Sequence, residues 1–150
     1  MTERVSDPQA PVISPVVTTD VPFQLLSPVV LAYVGDAVFE IYIRQRLVAG
    51  FNRKPHELHR ATTSYVSAAA QARLLQQWMP LLSEEEADIV RRGRNTKSGQ
   101  PPRNADPADY RHATALECLV GYLYYSGEKE RLEQLIEIAF AHKAGIDESQ

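Results

Sequence analysis

Two carboxylates fall where carboxylates are expensive. Asp36 lies in LAYVGDAVFEIYIR (residues 31–44) and Glu117 in HATALECLVGYLYY (residues 112–125), both largely apolar stretches with inward-facing helical spacing. An unpaired ionised carboxylate in such a setting costs several kcal/mol or changes its protonation. Its presence therefore implies a bound cation, a basic partner or a hydrogen-bond network. Mg²⁺ takes oxygen ligands, keeps several waters, and is often held by one or two carboxylates plus a substrate phosphate. Gly35 beside Asp36 and Gly121 one turn beyond Glu117 leave room for close helix approach or for a phosphate. On residue chemistry alone a metal site competes with a second reading, internal salt bridges to arginines.

Other reactive side chains compete less well. Glu40, one turn after Asp36, is either a third ligand or the partner of Arg44 in an i,i+4 pair, and the pair is the preferred reading. His56 and His59 in HELH lack the H-E-x-x-H zinc spacing and an evident third ligand. His112 and His142 have no nameable partner. Cys118, the single cysteine, excludes an internal disulfide and reads as a core thiol. Trp78, Tyr122, Tyr124 and Tyr125 read as core or subunit-contact residues before stacking platforms for bases.

The strongest charge asymmetry is basic. Arg91, Arg92, Arg94, Lys97 and Arg103 fall in a window from 91 to 103 without Asp or Glu, although the chain carries a formal charge of -3. RNTKSGQPPRNAD makes that window a Gly/Pro-rich loop suited to a polyanion, with Asn95 and Asn104 able to reach sugars or base edges.

These groups need helices to hold them. The first is expected from Ser27 or Pro28 to Val48, with Gly50 as its stop. Residues 55–80 predict two helices or one bent one, interrupted at Thr62-Thr63-Ser64, with Thr63 or Ser64 capping the second. Ser83 and Glu86 form a capping box for a helix ending at Gly93; Asp106 and Pro107 open one that stops at Gly127, and an amphipathic helix follows. The two stretches holding Asp36 and Glu117, apolar almost all round, belong at the centre of a bundle, side by side. No segment alternates at period two, so the fold class is all-α.

At 150 residues the chain predicts one domain with a single core. No apolar run approaches the roughly 20 residues of a membrane span, and the N-terminus has neither signal-peptide nor transit-peptide character, so a soluble, cytoplasmic protein without membrane contact is expected. Residues 1–21 read as a flexible N-terminal extension.

LAYVGDAVFE resembles the ribonuclease III signature, in which an E-x-x-G-D core opens the nuclease helix, and ATALECLVGYLY resembles its second acidic motif, D-x-x-E-A-L-x-G. With HELHRATTSYVSAAAQARLL between them and RRGRNTKSG following, the resemblance runs from about residue 22 to residue 142, in order, and fits the Mini-ribonuclease III type. It implies a ribonuclease III-like helical catalytic domain over 22–142, a short tail at 143–150, and no double-stranded-RNA-binding domain. Asp36 and Glu117 match the family's aspartate and glutamate and become the expected Mg²⁺ ligands and catalytic residues. Ala32 and Thr114 stand where full-length ribonuclease III has two further acids. Both replacements resemble the Mini type, which keeps its nuclease activity, although Thr114 supplies only a neutral oxygen.

The resemblance further implies a Mg²⁺-dependent endoribonuclease that cleaves double-stranded RNA to 5′-phosphate and 3′-hydroxyl ends. It would act as a homodimer with one site facing each strand and mature both ends of precursor 23S ribosomal RNA. The charge of the 91–103 segment makes Arg91, Arg92, Arg94, Lys97 and Arg103 the expected phosphate contacts, with Asn95 and Asn104 on sugars or base edges. A small footprint makes substrate presentation by a ribosomal protein a reasonable expectation. The rivals are a non-catalytic RNA-binding module on the same fold and a helical interaction domain whose acids make internal salt bridges.

Overall fold

In a computed structural model of the chain, the structure describes residues 15, 17, 19–50, 54–96 and 101–148, with side chains as far as residue 141. The expected extension over 1–21 falls largely outside them, as do Lys97 and the side chains of His142 and the tail. Among the described residues, six α-helices follow a short 3-10 turn at Phe23–Leu25: α1 (Pro28–Gly50), α2 (Pro55–Val66), α3 (Ala68–Trp78), α4 (Glu84–Asn95), α5 (Pro107–Tyr125) and α6 (Lys129–Glu148). No strand occurs among the described residues, so the fold is all-α as expected.

Most helix ends follow from local chemistry. The Ser27 carbonyl accepts from Leu31 N–H at 3.0 Å and opens α1. Ser83 Oγ accepts from Glu86 N–H at 3.1 Å while Glu86 Oε1 accepts from Ser83 N–H at 2.9 Å, the reciprocal cap of α4. Asp106 Oδ1 accepts from Ala108 and Asp109 N–H and opens α5, which Gly127 terminates at φ 75°.

Two boundaries differ from the sequence reading. The chain breaks at Ser67, not at Thr62–Ser64, because those three hydroxyls are satisfied inside α2: they donate to the carbonyls of Leu58, His59 and Ala61. Ser67, with extended backbone at ψ 154°, accepts from Ala70 N–H and caps α3. Helix α4 also continues through Gly93 to Asn95, because Gly93 sits against α5, where an added Cβ would lie 2.9 Å from Cys118 Cβ and 3.0 Å from Ala115 Cα.

Helix α5 is the hub. Its Ala115, Leu116, Leu119 and Val120 are completely buried, with α1, α3 and α4 packed around it. The buried face of α1 supplies Leu31, Val38, Phe39, Tyr42, Ile43 and Leu47. Trp78, fully buried at the end of α3, donates its indole N–H to the Leu135 carbonyl at 2.8 Å and ties α6 to the core.

Candidate active site

The crossing of α1 and α5 is made by glycines. A Cβ on Gly35 would lie 1.8 Å from the Glu117 carbonyl oxygen and 2.8 Å from Gly121 N; a Cβ on Gly121 would lie 2.1 Å from the Leu31 carbonyl oxygen. Backbone meets backbone at both points, closer than any side chain allows. Asp36 follows one of these glycines and Glu117 faces it, so the contact that packs the two helices also brings the two acids to the same place.

Burial of Asp36 is corrected by the structure. Helix α1 is not apolar all round to the same depth: Asp36 is exposed on a side of α1 shared with Tyr33, Ala37 and Ile41, and only the opposite face enters the core. Its carboxyl is still raised above the ordinary aspartate value, by partial burial and then by the charge of Glu40. Glu117 is half-buried, and its carboxyl is pushed up to about 8, first by burial and then by the charge of Asp36, with the amide of Gln71 acting in the opposite sense. Among the described residues no arginine or lysine counters the rise at either acid.

Two crowded carboxyls with no counter-cation among the described residues are a donor set that suits a hard divalent ion. Among the described residues no group of three or more His, Cys, Asp or Glu gathers for a metal, so the protein's charged contribution here is two carboxylates. Thr114 adds little. It is buried and its hydroxyl donates to the Tyr110 carbonyl at 3.0 Å within α5, while Ala32 belongs to the core. Glu40 accepts from Arg44 at 2.8 and 3.2 Å, the i,i+4 pair read from the sequence. His56 and His59 are exposed on α2. Cys118 is buried, and burial pushes its thiol up to about 12, which makes it a core group rather than a nucleophile.

Gln71 was not singled out in the sequence. It is 1% exposed on α3, its Nε2 makes no hydrogen bond of ordinary geometry, and its amide acts on Glu117. The available signal was a lone amide, one turn before Leu74 and Leu75, on the inward face of AAAQARLLQQW.

The described basic groups of the 91–103 window lie at the C-terminal end of α4 and just before α5. Arg91, Arg92, Arg94 and Asn95 are exposed there, and Arg103 and Asn104 are exposed just before α5. Gly93 anchors that end to α5 at Ala115 and Cys118, which flank Glu117 in sequence. One correction follows for Arg91: it is paired with Asp88 one turn earlier, an acid just outside the window.

The Ribonuclease III domain family matches residues 29–128. Among curated relatives, the Mini-ribonuclease 3 of Brevibacillus brevis is 52% identical over 117 residues, covering 78% of this chain and 87% of that protein. The Mini-ribonuclease 3 of a Thermoanaerobacter species is 51% identical over 114 residues, covering 76% and 80%. A solved structure, protein FN1578 from Fusobacterium nucleatum, superposes with a TM-score of 0.73 at 28% identity, over 81% of this chain and 97% of that one.

Proposed function

The chain belongs to the ribonuclease III family and is an endoribonuclease, and from that premise we propose that it cuts double-stranded RNA with Mg²⁺ held by Asp36 and Glu117. The observation that carries this reading is the glycine crossing, which packs together the two segments that hold the acids; among the described residues no basic group offsets the rise of either carboxyl. The catalytic unit is assigned to residues 22–142.

In this reading Asp36 and Glu117 would hold the ion. When bound, Mg²⁺ supplies a lowered pKa for an attacking water and charge stabilisation at the phosphate oxygens. The products carry 5′-phosphate and 3′-hydroxyl ends. Buried Leu116, Leu119 and Phe39 stiffen the helices that hold the acids. Glu40, engaged by Arg44 through Oε1, contributes charge beside Asp36.

Duplex RNA hides its base edges in a deep, narrow major groove, so recognition rests on phosphates, 2′-hydroxyls and shape. Arg92, Arg94, Lys97 and Arg103 are assigned to phosphates, with Arg91 in a lesser role because Asp88 competes for it, and Asn95 and Asn104 to sugars or base edges.

A homodimer is supported by α1. Val29, Tyr33, Ala37 and Ile41 recur every fourth residue as an exposed stripe, with Tyr33 82% exposed, and Asp36 borders it. Pairing of two such stripes would give one site for each strand. Maturation of precursor 23S ribosomal RNA, with presentation by a ribosomal protein and a cytoplasmic setting, is the process that best fits a nuclease of this type. No described helix is long and apolar enough to cross a membrane.

The test is cleavage of a duplex RNA with Mg²⁺ by wild type, Asp36→Asn and Glu117→Gln, with binding measured in parallel. Loss of cleavage with binding kept is expected. Cleavage kept in either variant, in a preparation shown free of other nucleases, would remove the assignment.

A further inference from the structure

Among the described residues the buried polar or charged side chains are Thr62, Gln71, Glu86 and Thr114. The hydroxyls of Thr62 and Thr114 donate to carbonyls one turn back in their own helices, and Glu86 is held by Ser83 and Arg131. Gln71 differs. It is 1% exposed, shares the buried face of α3 with Leu74, Leu75 and Trp78, and its Nε2 makes no hydrogen bond of ordinary geometry.

A buried N–H left unanswered costs free energy, whereas an apolar side chain of the same length would fill the space without that cost. Solvent does not reach Nε2, so no dissolved ligand answers it; only a protein group packed against it can. That group is on α5, against which α3 lies. The Gln71 amide acts on the Glu117 carboxyl through a side-chain hydrogen-bonding contact, in the sense that favours the carboxylate. An amide N–H bonds a charged oxygen more strongly than a neutral one, so the contact is worth most when Glu117 carries its charge. Asp36, exposed on α1, acts on the same carboxyl, and Arg92 of α4 acts on the neighbouring Cys118 thiol. Glu117 therefore stands between an enclosed amide and an exposed acid.

We infer that Gln71 is a positioning residue for the ion site: its amide fixes the inner side of the Glu117 carboxylate and leaves the outer side for the divalent ion shared with Asp36. The inference rests on the reading of Asp36 and Glu117 as ion ligands. A hydrogen-bonding partner of this kind orients a ligating carboxylate, and its removal lowers metal affinity by roughly 10–100-fold. Gln71 itself touches neither the ion nor the RNA.

The full-length wild type is compared with Gln71→Met, which matches the side chain in length but has no N–H, and with Gln71→Leu should the first variant fail to fold. Melting temperature, the pH titration of the Glu117 side-chain carboxyl carbon by NMR in metal-free protein, and Mn²⁺ affinity are measured without RNA. The melting temperature should hold or rise. The Glu117 carboxyl, at about 8 in the wild type, should titrate at higher pH, since Asp36 is unchanged and only the amide is lost. Mn²⁺ affinity should fall by roughly tenfold or more. A lower melting temperature with unchanged titration and unchanged Mn²⁺ affinity would make Gln71 a packing residue and overturn the proposal. A shifted titration with full Mn²⁺ affinity would show contact without positioning and overturn it as well. Glu117→Gln separates the two readings. If that variant loses Mn²⁺ while Gln71→Met keeps it, only the role of Gln71 falls; if Glu117→Gln binds Mn²⁺ as the wild type does, the ion assignment itself fails and this inference with it.

Discussion

Replacing Gly35 with alanine adds one methyl group at the point on which the site depends. Its carbon would lie 1.8 Å from the Glu117 carbonyl oxygen, and the obstructing atoms are backbone, so no side chain can swing aside. Restoring ordinary contact requires α1 and α5 to part by roughly 1.5 Å, since packed helices have little slack. Overpacking of this kind costs about 3 kcal/mol, and the better helix propensity of alanine returns about 1 kcal/mol, leaving a net loss near 2 kcal/mol. The same displacement separates Asp36 from Glu117, and a misplacement of about 1 Å in a catalytic constellation lowers rates by about 10²-fold. Urea unfolding and duplex-RNA cleavage with Mg²⁺, well below the melting temperature, measure the two effects separately. Gly50→Ala is the control, because nothing lies within 4 Å of its added Cβ; it should leave both properties close to wild type. Gly35→Ala at wild-type stability would refute the packing argument. Reduced stability with an unchanged cleavage rate would refute the claim that this contact positions the acids.

Glu86 is buried, capping α4 and accepting from Arg131 at 2.9 Å through both oxygens, so Glu86→Gln should lower stability by about 1.5–3 kcal/mol in thermal or urea unfolding. Hydrogen bonding from Arg131 holds the Glu86 carboxyl below its ordinary value; its contribution is therefore full above about pH 4.5, is lost as pH falls through the lowered value, and should be missing from the acid-unfolding curve of the variant. RNA affinity should fall steeply with salt, with Arg94→Ala reducing the log–log slope by about one and Arg91→Ala by less, because Asp88 already holds Arg91. Tyr33→Asp, on the exposed stripe of α1, should shift sedimentation from dimer to monomer, and an unchanged sedimentation coefficient would remove that face from the interface.

Local signals in the chain were readable because their chemistry is local. Ser83 with Glu86, Asp106 with Pro107, and Gly127 announce helix ends through bonds spanning two to four residues. Thr62, Thr63 and Ser64 carry the same kind of side chain, yet their hydroxyls bond back into α2 and the break moves to Ser67, a choice set by how the two helices pack. The convergence of two apolar helices was legible in outline from composition and spacing. Which face of α1 turned inward was not: 31–44 carries apolar residues on both sides, and only the fit of Gly35 against α5 selects the face that leaves Asp36 at the rim. Partners distant in sequence were also hidden. Arg131 reaches Glu86 across 45 residues, and Gln71 meets the Glu117 region only once α3 has docked on α5.

Central to the account is one divalent ion shared by Asp36 and Glu117, and titration with Mn²⁺ followed by electron paramagnetic resonance measures it without RNA or turnover. Wild type should bind one ion per chain at this site, and Asp36→Asn and Glu117→Gln should each weaken that binding by tenfold or more. Wild-type Mn²⁺ affinity in either variant would contradict it.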